Sequence, residues 1–135
     1  MIWSENIVQQ KLEIQSLAEK YNLDLVVLFG SVAKDRAIKE SDVDIGVYKK
    51  GGMDYDLRIV LMKEFSILLN SNVDLQAISS NSPLLMYKIL QGKLLYQKES
   101  GTFDRMRVYS WKLLAESKSF RDHSYSVLKK RITLL

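Results

Sequence analysis

The sequence predicts a small α/β domain of the α+β kind: a short mixed, mostly antiparallel sheet, helices packed mainly on one side, and a long C-terminal helix. Three observations carry this. The stretches "DLVVLFG", "SDVDIGVY" and "NVDLQAI" are short apolar or alternating runs bounded by polar residues, which is how strands read. Apolar residues at helical spacing flank and separate them. A length of 135 residues, with 47% apolar and 27% charged, is one domain's worth of chain and too apolar for a disordered one.

Ile7, Ile14, Leu17, Ala18 and Tyr21 recur at helical spacing and predict an amphipathic helix over about 4–21. The continuous apolar run of "DLVVLFG" fits a central strand covered on both faces. Ser31 can cap a short helix through about Ala37, which puts Gly30-Ser31 at a strand-to-helix corner. In the second strand Val43, Ile45 and Val47 point one way, and Asp42, Asp44 and Gly46 the other. Lys49 to Gly52 form a turn, and Leu57, Leu61, Met62, Phe65, Leu68 and Leu69 pattern a helix ending near Asn70. In the third strand Val73, Leu75 and Ala77 share a face and Asp74 and Gln76 the other. Pro83 can open a helix through about Leu90, "GKLLYQ" reads as a short edge strand or extended segment, and Phe103, Met106, Ser110, Leu113, Leu114 and Ser117 predict a final helix to about Arg131. We read one domain over 1–135, with a core over about 1–98 and the C-terminal helix over about 102–131.

Composition excludes several chemistries. With no cysteine and a single histidine, His123, neither a thiolate zinc site nor a histidine cluster can form within one chain, so any metal is held by oxygen. No apolar run approaches the roughly 20 residues that span a bilayer, and the amino terminus has no signal pattern, so a cytoplasmic location is expected. The net charge of +4 favours polyanionic partners without specifying one.

The chemistry concentrates between Leu28 and Val47. Residues two apart on a strand share a face, so Asp42 and Asp44 present their carboxylates together, with roughly 7 Å between their α-carbons. That geometry suits Mg2+, which takes oxygen ligands and is usually held by one or two carboxylates together with substrate phosphates. Asp74 on a neighbouring strand could hold a second ion or take a proton from an attacking hydroxyl. Gly30 permits close backbone approach to a phosphate, and a helix opening at Ser31 would offer unpaired amides. Lys34 and Arg36 are nearby cations that either touch phosphate or are solvated surface charges. On its own each piece has a plain reading: Gly-Ser as a turn, Asp-x-Asp as a solvated strand end.

Gly30-Ser31, ten intervening residues and Asp42-Val43-Asp44 match the G-S-x10-D-x-D signature, and by it the chain resembles the minimal nucleotidyltransferases of the DNA polymerase beta-like superfamily. "VVLFGS", "SDVDIGV", the acidic Asp74 in "NVDLQAI" and "LLMYKILQGKLLYQ" extend the resemblance over nearly the whole chain. Many relatives have a glycine where this chain has Asp35 and a basic residue where it has Val32. The resemblance implies the polymerase beta-like nucleotidyltransferase fold. It implies that Asp42, Asp44 and Asp74 bind Mg2+, two ions in all, and serve catalysis, that Gly30 and Ser31 hold nucleotide phosphates, and that ATP is the substrate.

A chain this short has no room for a further substrate domain. It therefore resembles the antitoxin half of HEPN/MNT toxin–antitoxin modules, in which the nucleotidyltransferase transfers AMP from ATP to a tyrosine of its HEPN ribonuclease toxin. It carries no R-x4-6-H motif of its own. The expected partner is that toxin, in a hetero-oligomer, with no membrane association and with nucleic acid binding not required. Two other readings share the same residues: an antitoxin that masks its toxin by contact alone, and a transferase acting on RNA or a small-molecule hydroxyl. Tyr109, Trp111, Phe120 and Tyr125 combine with Arg105, Arg107, Arg121 and Lys129 to Arg131 on the last helix, as an interface, an RNA-stacking face or simply a core stripe with solvated charges. His123 reads as a surface or interface residue.

Overall fold

The structure, a computed structural model, describes residues 7, 9–30, 42–117, 122 and 130. Among them four strands form one sheet in the order β3-β2-β1-β4, with β1 at Leu25–Phe29, β2 at Val43–Tyr48, β3 at Val73–Ala77 and β4 at Lys93–Gln97. β1 pairs antiparallel with both β2 and β4, while β2 and β3 run parallel. The sheet is thus mixed and mostly antiparallel, as the sequence predicts, and β1 is the central strand that its continuous apolar run called for. "GKLLYQ" resolves into the edge strand β4.

Four helices pack on this sheet: α1 (Lys11–Lys20), α2 (Tyr55–Leu69), α3 (Pro83–Leu90) and α4 (Thr102–Ala115). α1 buries Ile14, Leu17 and Ala18. Its chain turns out through Asn22, at φ 54, and Leu23 N–H donates to the Ala18 carbonyl at 2.9 Å. α2 starts where the Asp54 carboxylate accepts from Leu57 N–H at 2.7 Å and stops at Asn70, whose φ of 50 is the left-handed conformation that ends helices. Pro83 opens α3, where a missing N–H costs nothing.

The helices divide between the faces more evenly than the sequence predicts. Val26 and Leu28 join Val43, Ile45, Val47, Val73 and Leu75 in a core beneath α1 and α2, while Leu25 and Val27 join Met86, Ile89, Leu90 and Phe103 in a second core beneath α3 and α4. The cause lies in β1: a strand apolar at every position has two faces to cover. Of the final helix, Thr102–Ala115 is described and the chain leaves helical geometry at Ser117, whose N–H donates to the Leu114 carbonyl at 3.0 Å. The expected continuation to about 131 lies, apart from 122 and 130, outside the described residues, as do the start of the first helix and the short helix from Ser31.

α3 seats against β2 at Gly46, where a β-carbon would stand 2.3 Å from Ile89 Cγ2. Ile89 is fully buried and branched at Cβ, so it has little room to give. Gly46→Ala is therefore expected to lower unfolding free energy by about 1–3 kcal/mol in urea denaturation. The loss should shrink in an Ile89→Ala background, because the clashing atom is gone.

Candidate active site

β1 ends at Phe29, which stands opposite Asp44 of β2 in the antiparallel register. The chain then departs through Gly30 at φ +76, a conformation glycine adopts freely and side-chain-bearing residues do not. Close packing makes the same demand. A β-carbon on Gly30 would lie 2.2 Å from Asp44 Oδ2 and 3.0 Å from its Cγ, so the backbone here rests directly on the carboxylate. Asp44 in turn is paired with Asp74 in the parallel register of β2 and β3. Asp42 precedes it by two residues at the mouth of β2.

The electrostatics follow from this crowding. The Asp44 carboxyl is pushed above the usual carboxylate range, first by burial, then by the charge of Asp74 and then by that of Asp42. Gln76 steadies Asp74, its Nε2 donating to the two carboxylate oxygens at 3.3 and 3.4 Å. Among the described residues no three acidic or imidazole side chains close around a common point tightly enough to enclose an ion by themselves. The arrangement is open, with half-buried Asp44 and Asp74 and exposed Asp42, all oxygen donors. That suits a hard cation arriving with the phosphates of its nucleotide, which complete its coordination.

Beside Gly30 a cleft of about 560 Å³ opens between the end of β1 and α3, lined in part by Phe29, Leu85, Tyr87 and Lys88. Gly30, Asp42, Asp44 and Asp74 are thus brought to one end of the sheet. Ser31, Lys34 and Arg36 lie outside the described residues, as do His123 and most of the basic run near the carboxyl terminus. Gln76 escaped the sequence reading as a site residue, although its place two residues beyond Asp74 on the same strand face was the available signal.

A family model described as "Polymerase beta, Nucleotidyltransferase" matches residues 12–101, a span that holds all four of these positions. The chain belongs to that family. It is 35% identical over 75 residues to the protein adenylyltransferase MntA of Shewanella oneidensis, a match over 55% of this chain and 54% of that one, so it spans about half the length of that curated relative. Among solved structures, a toxin–antitoxin with AMP-PNP aligns with a TM-score of 0.73 at 23% identity, over 88% of this chain and 98% of that one. The MNT antitoxin in complex with the tri-AMPylated HEPN toxin of Shewanella oneidensis aligns with a TM-score of 0.68 at 22% identity, over 90% and 97%. At these identities the structural likenesses establish the polymerase beta-like nucleotidyltransferase fold.

Two consequences can be measured. Gly30→Ala forces both an unfavourable φ and a clash with Asp44, and should cost about 1–2 kcal/mol from the backbone alone. In an Asp44→Ala background the steric part should shrink, since only the Asp44 β-carbon at 3.2 Å remains in the way, and the backbone part should stay. The second is a pH effect. With the Asp44 carboxyl raised in the folded state, its contribution to stability is greatest below the unfolded-state value of 3.8 and is lost as pH rises through the folded one. Asp44→Asn should remove that loss and melt slightly higher than the wild type at neutral pH without divalent cations. The gain should stay under about 1 kcal/mol, because solvent screens a half-exposed group, and thermal melts across about pH 4 to 7 would follow it.

Proposed function

We propose that this chain is a Mg2+-dependent protein adenylyltransferase and an antitoxin, moving AMP from ATP to a tyrosine hydroxyl of a cognate HEPN-domain ribonuclease toxin and so neutralising it. The observation that carries this is the Asp44 carboxylate, crowded by Asp74 and Asp42 under a glycine that leaves no room for a side chain. Like charges gathered so closely are a cost unless a cation joins them. Family membership supports the reaction class, and the activity carried in the relative's name, with the toxin complexes of its structural neighbours, supports the acceptor.

Asp42, Asp44 and Asp74 would hold two Mg2+ ions through carboxylate oxygens, with the phosphates of the nucleotide completing their coordination. Bound there, the metal would neutralise phosphate charge and stabilise the charge that develops on transfer. Gly30, without a side chain, lets the backbone approach the triphosphate, and Ser31 is assigned to the same phosphates. The cleft beside Gly30 has room for the nucleoside, within the usual size range of small-molecule sites. Asp74 takes the proton of the tyrosine hydroxyl as its oxygen bonds to the α-phosphorus. The bond from that phosphorus to the bridging oxygen breaks in line, and pyrophosphate leaves.

The work is done in a hetero-oligomer with the toxin, in the cytoplasm. No helix among the described residues is long and apolar enough to cross a membrane. Nothing in this chemistry requires nucleic acid.

Intact-mass measurement of the HEPN partner, incubated with this chain, ATP and Mg2+, tests the reading. The partner should gain one or more AMP units. The Asp42→Asn, Asp44→Asn double variant should keep its circular dichroism spectrum and lose at least about 1,000-fold in rate, and chelation with EDTA should stop the wild type. Undiminished transfer by the double variant would overturn the site. A stable complex with no mass change would instead favour inhibition by masking.

A further inference from the structure

The hydrogen bonds around Asp74 run across an edge of the sheet. β3 is an edge strand, with Asp74 and Gln76 on one face and Leu75 buried on the other against the core under α2. Arg58, in the first turns of α2, reaches round this edge. Its Nε donates to the Leu75 carbonyl at 3.1 Å and its Nη2 to Gln76 Oε1 at 3.4 Å. The Gln76 amide nitrogen then donates to both oxygens of Asp74.

The chemistry of the two ends fixes the amide between them. A guanidinium has donors only and an ionised carboxylate acceptors only, so the Gln76 oxygen must face Arg58 and its nitrogen must face Asp74. The flipped amide would set donor against donor at one end and oxygen against oxygen at the other. Arg58 is held by two bonds at once, one of them to the strand backbone, which limits how far it can swing.

We infer that Arg58 and Gln76 are positioning residues for the transfer reaction: Arg58 orients the Gln76 amide, and Gln76 holds the Asp74 carboxylate beside Asp44. The inference rests on the reading of Asp74 as part of the transfer site. Repulsion from Asp44 would otherwise turn the Asp74 side chain outward, and the two amide contacts oppose that rotation. Each carboxylate oxygen keeps a further lone pair for an ion or an acceptor hydroxyl. A helix on the far face of the sheet thereby sets the geometry of a carboxylate on the near face.

Full-length Gln76→Leu, Arg58→Met, Asp74→Asn and the Arg58→Met, Gln76→Leu double variant form the test, each checked for an unchanged melting curve. The readout independent of activity is the side-chain amide pair of Gln76 in 1H–15N spectra, which should move in both Arg58→Met and Asp74→Asn. In AMP transfer, Gln76→Leu should lower kcat about 10- to 100-fold while KM for ATP changes by less than about twofold. Adding Arg58→Met to Gln76→Leu should lower kcat no further, because Arg58 acts through Gln76. Arg58→Lys, which cannot donate to Leu75 and Gln76 together, should fall in between and stands in if Arg58→Met does not fold. Wild-type kcat in Gln76→Leu, with loss in Asp74→Asn, would overturn the relay and leave the Asp74 role intact. Wild-type kcat in Asp74→Asn would overturn the site reading itself, and an unmoved Gln76 amide would overturn the relay whatever the kinetics.

Discussion

Gly30 and the Asp44 carboxylate are packed so closely that no β-carbon fits between them. This contact requires β1 and β2 to pair in one register, Phe29 opposite Asp44, so that the chain leaving β1 passes directly over the carboxylate. It also requires a residue with no side chain and a positive φ at that point. A slip of one residue in the pairing would send Asp44 to the face beneath α1 and α2 and turn Val43, Ile45 and Val47 out of that core. The apolar alternation of β2 forbids that slip, and so the packing of the core fixes the position of the charge.

Holding Asp44 between Asp42 and Asp74 raises its proton affinity and works against folding. The two hydrophobic layers offset this cost. β1 is buried on both faces, and the helices on either side clamp the strands whose ends carry the carboxylates. Sites that bind cations and phosphates commonly keep such locally unfavourable charge, since the ligand supplies what the protein lacks. The membership of this chain in a nucleotidyltransferase family accords with that arrangement.

The edges of the sheet and the last helix show where packing gives way to exposure. At β3 the outer edge is capped by Arg58 rather than by another strand. On α4, Phe103, Ser110 and Leu114 are buried, whereas Val108, Tyr109 and Trp111 are exposed and Arg107 lies over the Phe103 ring. Over Thr102–Ala115 a core stripe and exposed aromatic residues therefore share one helix, while Phe120, Arg121 and Tyr125 of the expected face lie outside the described residues. A helix needs only part of its circumference to hold it to a core.

Most of the fold was legible because period carries it. Strand alternation placed Asp42 and Asp44 on the face opposite Val43 and Ile45, and did the same for Asp74 opposite Val73 and Leu75; Pro83 and Asn70 marked helix ends by their backbone preferences alone. The spacing of Gly30 from Asp42 and Asp44 was likewise a property of the sequence. Other features depend on which strands become neighbours, which no local pattern states. The parallel pairing that sets Asp74 beside Asp44, the glycine pressed onto a carboxylate and the reach of Arg58 round an edge strand to Gln76 are all long-range contacts. Residue order alone is enough to set the four strands, the faces they present and the residue types at the site. The contacts among those residues arise on folding, because charge repulsion, steric exclusion and hydrogen bonding act through space between segments far apart along the chain.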